Sequence, residues 1–233
     1  MGNHTLEFKN RALESNLRPT CERVLKQFPQ STLRLLCLFD DRNPVQFDEL
    51  LGPSHRGFHV PVLGSGTFWP EYVQCLFTNS YGFFICDNVI YVNARTSASS
   101  AGSTITLAHE LQHFTQCGHA RKVWIANTLI HRILREGPET PIKPWEIPSE
   151  REAIVVSKRV AEDVLGESAV SEHVRLQIET GDAPEDWKFF RDLSQRYPLD
   201  LLAETKPWVE EYRPMLVKIK QGEVDFAQNE WWK

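Results

Sequence analysis

The sequence predicts an α+β fold: a small, mostly antiparallel sheet packed on two helices, followed by a helical C-terminal part. Three observations carry this prediction. Short runs rich in β-branched and aromatic residues, 73–78, 81–86 and 89–93, follow one another with brief polar breaks, which reads as a meander. A run with helical character over residues 103–117 comes next and contains His109-Glu110-Leu111-Gln112-His113. A second long helical pattern starts at residue 149, and the last third of the chain is mostly helical in pattern. The 233 residues suit a single domain.

Taken in order, residues 1–16 are polar and read as a loosely held arm. Residues 18–28 read as a short helix stopped by Pro29, and 32–39 as a buried, Leu-rich strand. Residues 40–44 form a turn cluster, and 52–70, with repeated Gly, Pro and Ser, a long loop. Gly64-Ser65-Gly66-Thr67 lacks the Lys-Ser/Thr ending of a phosphate loop. After the meander, the Ser/Thr/Gly stretch 96–103 leads into the motif helix, with one of its serines as N-cap and Gly118 as its stop. Residues 120–136 place Val123, Asn127, Ile130 and Leu134 on one helical stripe. A proline-rich connection follows, and then a helix from 149 to Gly166. Residues 170–233 form a helical extension, in which Pro207 suits a helix start and Pro214 a break.

Composition excludes several classes. The chain is 41 % hydrophobic and 24 % charged, ordinary for a globular protein rather than a disordered one. A net charge of -5 argues against nucleic acid as a partner. No apolar run approaches the roughly 18 residues needed to cross a bilayer, so no membrane association is expected. The N-terminus lacks the basic start and apolar core of a signal peptide. Five scattered cysteines, Cys21, Cys37, Cys75, Cys86 and Cys117, read as reduced thiols, which points to the cytoplasm. Oligomeric state is not legible.

The sharpest signal is H-E-x-x-H. Residues four apart lie above one another on a helix, so His109 and His113 can share one metal ion. Glu110 is left over to move protons. A catalytic zinc normally has a third protein ligand and one open position. On the helix after Pro148, at about 100° per residue, Glu150 shares a side with Ala153, Ile154, Ser157, Val160 and Val164. Glu152 falls on the other side with Lys158, Arg159 and Glu162, toward solvent, where a capping box with Ser149 accounts for it. A carboxylate aimed at a core needs a cation or donors, so Glu150 is the favoured third ligand. Glu152, His119 and Cys117 are alternatives, and Cys117 reads better as apolar packing. A second histidine pair, His55 and His59, lies in a stretch whose Pro53 and Gly57 disfavour a helix.

The sequence Leu107-Ala108-His109-Glu110-Leu111-Gln112-His113 with Glu150-Arg151-Glu152-Ala153 resembles the gluzincin metallopeptidases, and most closely the small ImmA/IrrE-like metallopeptidases, over roughly residues 80–166. Departures are Gln112 where glycine is usual, Ile154 where Asp or Asn is frequent, and a 36-residue spacer between His113 and Glu150. The resemblance implies a zincin-like fold and one Zn2+ held by His109, His113 and Glu150, with Glu110 as general base. It also implies a peptide or protein substrate aligned by a strand beside the motif helix, such as 89–93. Two other classes fit the residues: a zincin-like domain that binds a partner without catalysis, and a metallohydrolase acting on a non-peptide amide. Tyr91, His119, His131 and His173 are candidates for stabilising an oxyanion. Trp231 and Trp232 read best as core packing, with covering an apolar surface or binding a partner as the alternatives.

Overall fold

The computed structural model of the protein describes residues 4–29, 34–41, 56–60, 88–95, 99–136, 143–181, 183–193 and 200–220. The architecture is α+β, mostly helical with one small mixed sheet. The sheet contains β1 (His4–Phe8), β2 (Leu35–Asp40), β3 (Gly57–Val60) and β4 (Asn88–Asn93), in the order β1-β2-β4-β3. Two of its three pairings are parallel, β1 with β2 and β2 with β4; only β3 runs antiparallel, against β4.

That sheet differs from the expected antiparallel one, and the reason lies in the N-terminal residues. The expected arm is strand β1 followed by helix α1 (Arg11–Leu25). Asn10 caps α1 by accepting the main-chain N–H of Leu13 at 2.9 Å. A strand, a helix and a second strand in succession make a crossover, which delivers β2 parallel to β1. Gly57–Val60, inside the expected loop, is the third strand. The strands expected over 73–78 and 81–86, the Gly64–Thr67 turn and the terminal Trp231 and Trp232 lie outside the described residues.

One sheet face builds the core. Leu35, Cys37 and Phe39 of β2 align with Asn88, Ile90 and Val92 of β4. Their apolar members pack with Leu17, Cys21 and Val24 of α1 and with Leu107, Leu111 and Phe114 of α2 (Ser100–His119). Ser99 caps α2 by accepting the N–H of Gly102 at 2.9 Å. The helix continues through Gly118, which holds ordinary helical backbone and ends nothing. α3 (Arg121–Glu136) follows, then a short 3-10 turn at Pro144–Glu146 and α4 (Pro148–Leu165). Val156, Val160 and Val164 of α4 complete the core against α2. Gly166, at φ 89°, supplies the left-handed turn that stops α4.

The C-terminal helices are α5 (Glu167–Thr180), α6 (Pro184–Asp192), α7 (Leu201–Glu211) and α8 (Arg213–Lys220). They pack on the rest through two satellite clusters. Val170, Val174, Trp187 and Phe190 close over Ile105 of α2 and Ala161 of α4. Trp208, Val209, Tyr212 and Leu216 close over Ile130 and Leu134 of α3 and Ile147. Pro207 sits inside α7 rather than starting a helix, whereas Pro214 lies in the first turn of α8, just past the break at Tyr212. Among the described residues no helix is long and apolar enough to cross a membrane. Cys21, Cys37 and Cys117 are buried free thiols, and burial pushes the pKa of Cys21 up to about 12.

Candidate metal centre

Helix periodicity stacks His109 and His113 on one face of α2, as their four-residue spacing requires. α4 crosses α2 so that Glu150, in its first turn, meets both rings. The start of α4 is held by a neighbour. Its N-cap, Ile147, has no side chain to offer, and the N–H of Ser149 instead donates to Asn127 Oδ1 of α3 at 3.3 Å. The Asn127 amide also donates to Thr205 Oγ1 of α7 at 2.7 Å. Three helices therefore fix where Glu150 begins. The expected capping box of Ser149 and Glu152 is absent, because the helix starts two residues earlier than that box needs.

Three ligand atoms converge. His109 Nε2 and His113 Nε2 are 3.1 Å apart, and Glu150 Oε2 lies 3.3 Å from the first and 3.5 Å from the second. Ligands about 2.0–2.1 Å from a tetrahedral zinc stand about 3.3–3.4 Å from one another, so this triangle has the size of one face of such a site. The two rings meet nitrogen to nitrogen at hydrogen-bond distance, a separation that also fits two ligands of one ion. His109, His113 and Glu150 thus form a group that could hold a metal ion, and the donor set of two imidazoles and a carboxylate suits Zn2+.

The electrostatics of the metal-free chain agree with this. Burial pushes the pKa of Glu150 up, but the adjoining His113 and His109 outweigh it and hold the carboxyl well below its ordinary value. Burial lowers the pKa of His113, yet Glu150 and Glu110 prevail and raise it to about 9. Glu110 is almost fully enclosed, which raises its pKa, opposed by the charges of His109 and His113. The main-chain N–H of His59 in β3 donates to its carboxylate. On the far side of Glu150, His131 Nδ1 of α3 stands 3.7 Å from Oε1.

A second group of polar side chains lies behind the rings. His113 Nδ1 donates to Gln116 Oε1 at 2.9 Å, leaving Nε2 to face the other ligands. Gln116 Nε2 donates to Glu152 Oε2 at 2.7 Å and to the carbonyl of Ser149 at 3.0 Å. Gln112 Nε2 donates to the same Glu152 oxygen at 3.0 Å. Glu152 is thus buried between α2 and α4, not turned to solvent as its helical position suggested. The reason is that α4 is flanked by α2, α3, α5 and α7, so its buried arc is wider than a one-sided helix presents. Gln112 carried a sequence signal: it puts a long polar side chain where the resembled motif usually has glycine.

His109, Glu110 and Glu150 open onto a cleft of about 380 Å3. Ile105, Ile154, Trp187 and Phe190 give it an apolar wall, and Arg56 and Asp186 stand at its side. The guanidinium of Arg56 lies 4.4 Å over the Trp187 ring. Trp187 and Phe190 come from α6, in the extension to which the sequence attached no role.

The other candidates separate clearly. His119 is exposed and Cys117 is buried, and neither joins the ligand group. Tyr91 projects from the opposite sheet face to Ile90, stacked on Phe58. His173 is bonded to Ser99 Oγ at 3.0 Å and edge-on to Trp187, so it braces the cleft wall. Of the four oxyanion candidates only His131 reaches the ligands. His59 is buried against Phe114 and Trp124, and His55 lies outside the described residues. β4, the strand expected to align a substrate, is paired on both sides, by β2 and β3, and has no edge to offer. β3 is the outermost strand on that side among the described residues, and Gly57 touches the motif helix: a Cβ there would lie 2.6 Å from Thr106 Cγ2. No protein-family model, curated protein or solved structure matches the chain.

Proposed function

We propose that the chain is a zinc-dependent metallopeptidase of the gluzincin type, with His109, His113 and Glu150 as ligands and Glu110 as general base. The observation that carries this reading is the His109–His113–Glu150 triangle, with edges of 3.1, 3.3 and 3.5 Å, opening beside Glu110 onto a cleft. When bound, Zn2+ acidifies water and polarises a carbonyl.

The chain's own residues supply the rest. His109 and His113 present ring nitrogens, and Glu150 brings the negative charge that balances the ion. Glu110 takes a proton from the water that attacks the scissile carbonyl and returns it to the departing amine. Its enclosure raises its proton affinity, which suits a group that must both accept and give back a proton. A site that only held metal would have no use for Glu110, and this favours an enzyme over a binding module. The apolar wall of Ile105, Ile154, Trp187 and Phe190 favours a peptide with a large apolar side chain next to the scissile bond.

The test joins metal analysis with turnover. The purified chain is expected to hold one zinc per molecule and to cleave peptides from a mixed library. Glu110→Gln should retain the zinc and lose about 10²–10⁴-fold in kcat. A chain that takes up no zinc, or a Glu110→Gln variant with undiminished cleavage, would overturn the assignment. Cleavage of simple amides but of no peptide would move the substrate to another class.

A further inference from the structure

We propose that Glu152 is a positioning residue of the metal centre: acting through Gln116, it dictates which nitrogen of His113 carries the proton. The inference rests on the metal-site reading above but not on peptide cleavage. Its basis is the accounting of one side-chain amide. Gln116 Nε2 has two hydrogens, and both are committed, one to Glu152 Oε2 at 2.7 Å and one to the carbonyl of Ser149 at 3.0 Å. Reversing the amide would set its oxygen against a carboxylate and a carbonyl, which are acceptors only. The amide therefore has one orientation, with Oε1 toward His113 Nδ1 at 2.9 Å.

An amide oxygen can only accept, so Nδ1 bears a hydrogen, and in the neutral ring, the form that takes a metal, Nε2 keeps the lone pair. Nε2 is the atom that faces His109 Nε2 and Glu150 Oε2. The carboxylate of Glu152 thus reaches the metal ligands through an amide and an imidazole, without touching them. Gln112 has a separate role. Its Nε2 gives the buried carboxylate a second donor at 3.0 Å, which offsets the cost of enclosing a charge, but it does not contact His113. This explains a long polar residue in the fourth position of the motif.

Replacing Glu152 by Gln leaves the shape and removes the obligatory acceptor. The new amide can offer a donor to Gln116, which leaves only the Ser149 carbonyl, of the two original acceptors, opposing a turn of Gln116 that would present hydrogen to Nδ1. His113 would then carry its proton on Nε2, where metal is excluded. The measurement is the Zn2+ dissociation constant of the full chain, by competition with a chromophoric chelator. Glu152→Gln and Gln116→Met are each expected to lose about 10–100-fold in affinity. The double variant should be no worse than Gln116→Met alone, to within about twofold, because both act along one line. Gln112→Met should stay within about threefold of the wild type, since the Gln116 orientation survives it.

A purely structural Glu152 would make Gln112→Met as harmful as Glu152→Gln, or make the two losses multiply, and either result overturns the proposal. So does a Glu152→Gln chain that binds zinc like the wild type. Should Glu152→Gln fail to fold, Gln116→Met against Gln112→Met decides by the same difference. A wild type that binds zinc, follows this pattern and cleaves no peptide leaves the positioning role standing and removes the peptidase. Cleavage with unchanged zinc affinity in every variant does the reverse. A wild type that takes up no zinc removes both.

Discussion

His113 shows how much a single side chain inherits from its neighbours. Its folded pKa, about 9, exceeds the ordinary value of 6.5 because Glu150 and Glu110 favour the charged ring despite burial. The metal-free fold therefore gains stability from this group fully below pH 6.5 and loses it as pH rises through about 9. Glu150 is opposite in sign: its lowered pKa stabilises the fold above its ordinary value of 4.5, and that contribution fades as pH falls below it. Zinc must displace the proton of His113, so its apparent affinity should rise by up to about tenfold per pH unit between pH ~7 and ~9. Over the same window the metal-free melting temperature should fall while that of the zinc-loaded protein holds. Chelator titration and thermal melts across pH check both; a flat affinity would show that His113 is not the group displaced. His109, Glu110 and His113 were legible in the sequence because one helix turn brings them together. Gln116 and Glu152 were not, because a hydrogen bond between α2 and α4 leaves no periodic trace.

Strand β3 and the motif helix illustrate what a pattern misses at the next level. Gly57–Val60 is only four residues long and sits among Gly, Pro and Ser, so nothing marks it as a strand. Its position is set by contact: Gly57 lies so near Thr106 and the Tyr91 carbonyl that a Cβ would approach them to 2.6 and 2.8 Å, both on rigid elements. Gly57→Ala should therefore push β3 from α2 and cost about 1–3 kcal/mol of stability. Because His59 N–H holds the Glu110 carboxylate, turnover should drop with it. Urea unfolding with parallel kinetics would register this; full stability in the alanine variant would mean that β3 has room to yield. The long helices α2, α3 and α4 were read to within a few residues, α3 and α4 from a sustained 3.6-residue pattern and α2, which is buried on nearly every side, from its motif and serine cap. The sheet was not, because strand pairing depends on partners far along the chain. β1 was taken for a loose arm on its polarity, and with it went the crossover that makes β1 and β2 parallel.

For the molecule as a whole, the candidate metal centre is a joint. The residues that could hold the ion come from α2 and α4, which carry much of the core, and α3 and α7 hold the α4 start through Asn127 and Thr205. Arg151 of α4 and Glu204 of α7 form an ion pair at the same junction. An ion bound there and not in the unfolded chain should add about 4 kcal/mol at a thousandfold excess over its dissociation constant. Chelation should thus lower the melting temperature, and zinc should restore it. Glu150→Gln should melt near the chelated wild type and respond little to zinc, as calorimetry can establish; an equal zinc response in this variant would remove Glu150 from the ligand set. Chemistry written along single helices was open to reading from residue order alone: two imidazoles and a carboxylate within a turn of α2, and a carboxylate on the apolar stripe of α4. Local periodicity suffices there, since neighbours on a helix are neighbours in sequence. The orientation of His113, the enclosure of Glu152, the parallel strands and the Trp187–Phe190 wall of the cleft all required elements distant in sequence to pack. Their geometry arises from contacts that no local pattern encodes.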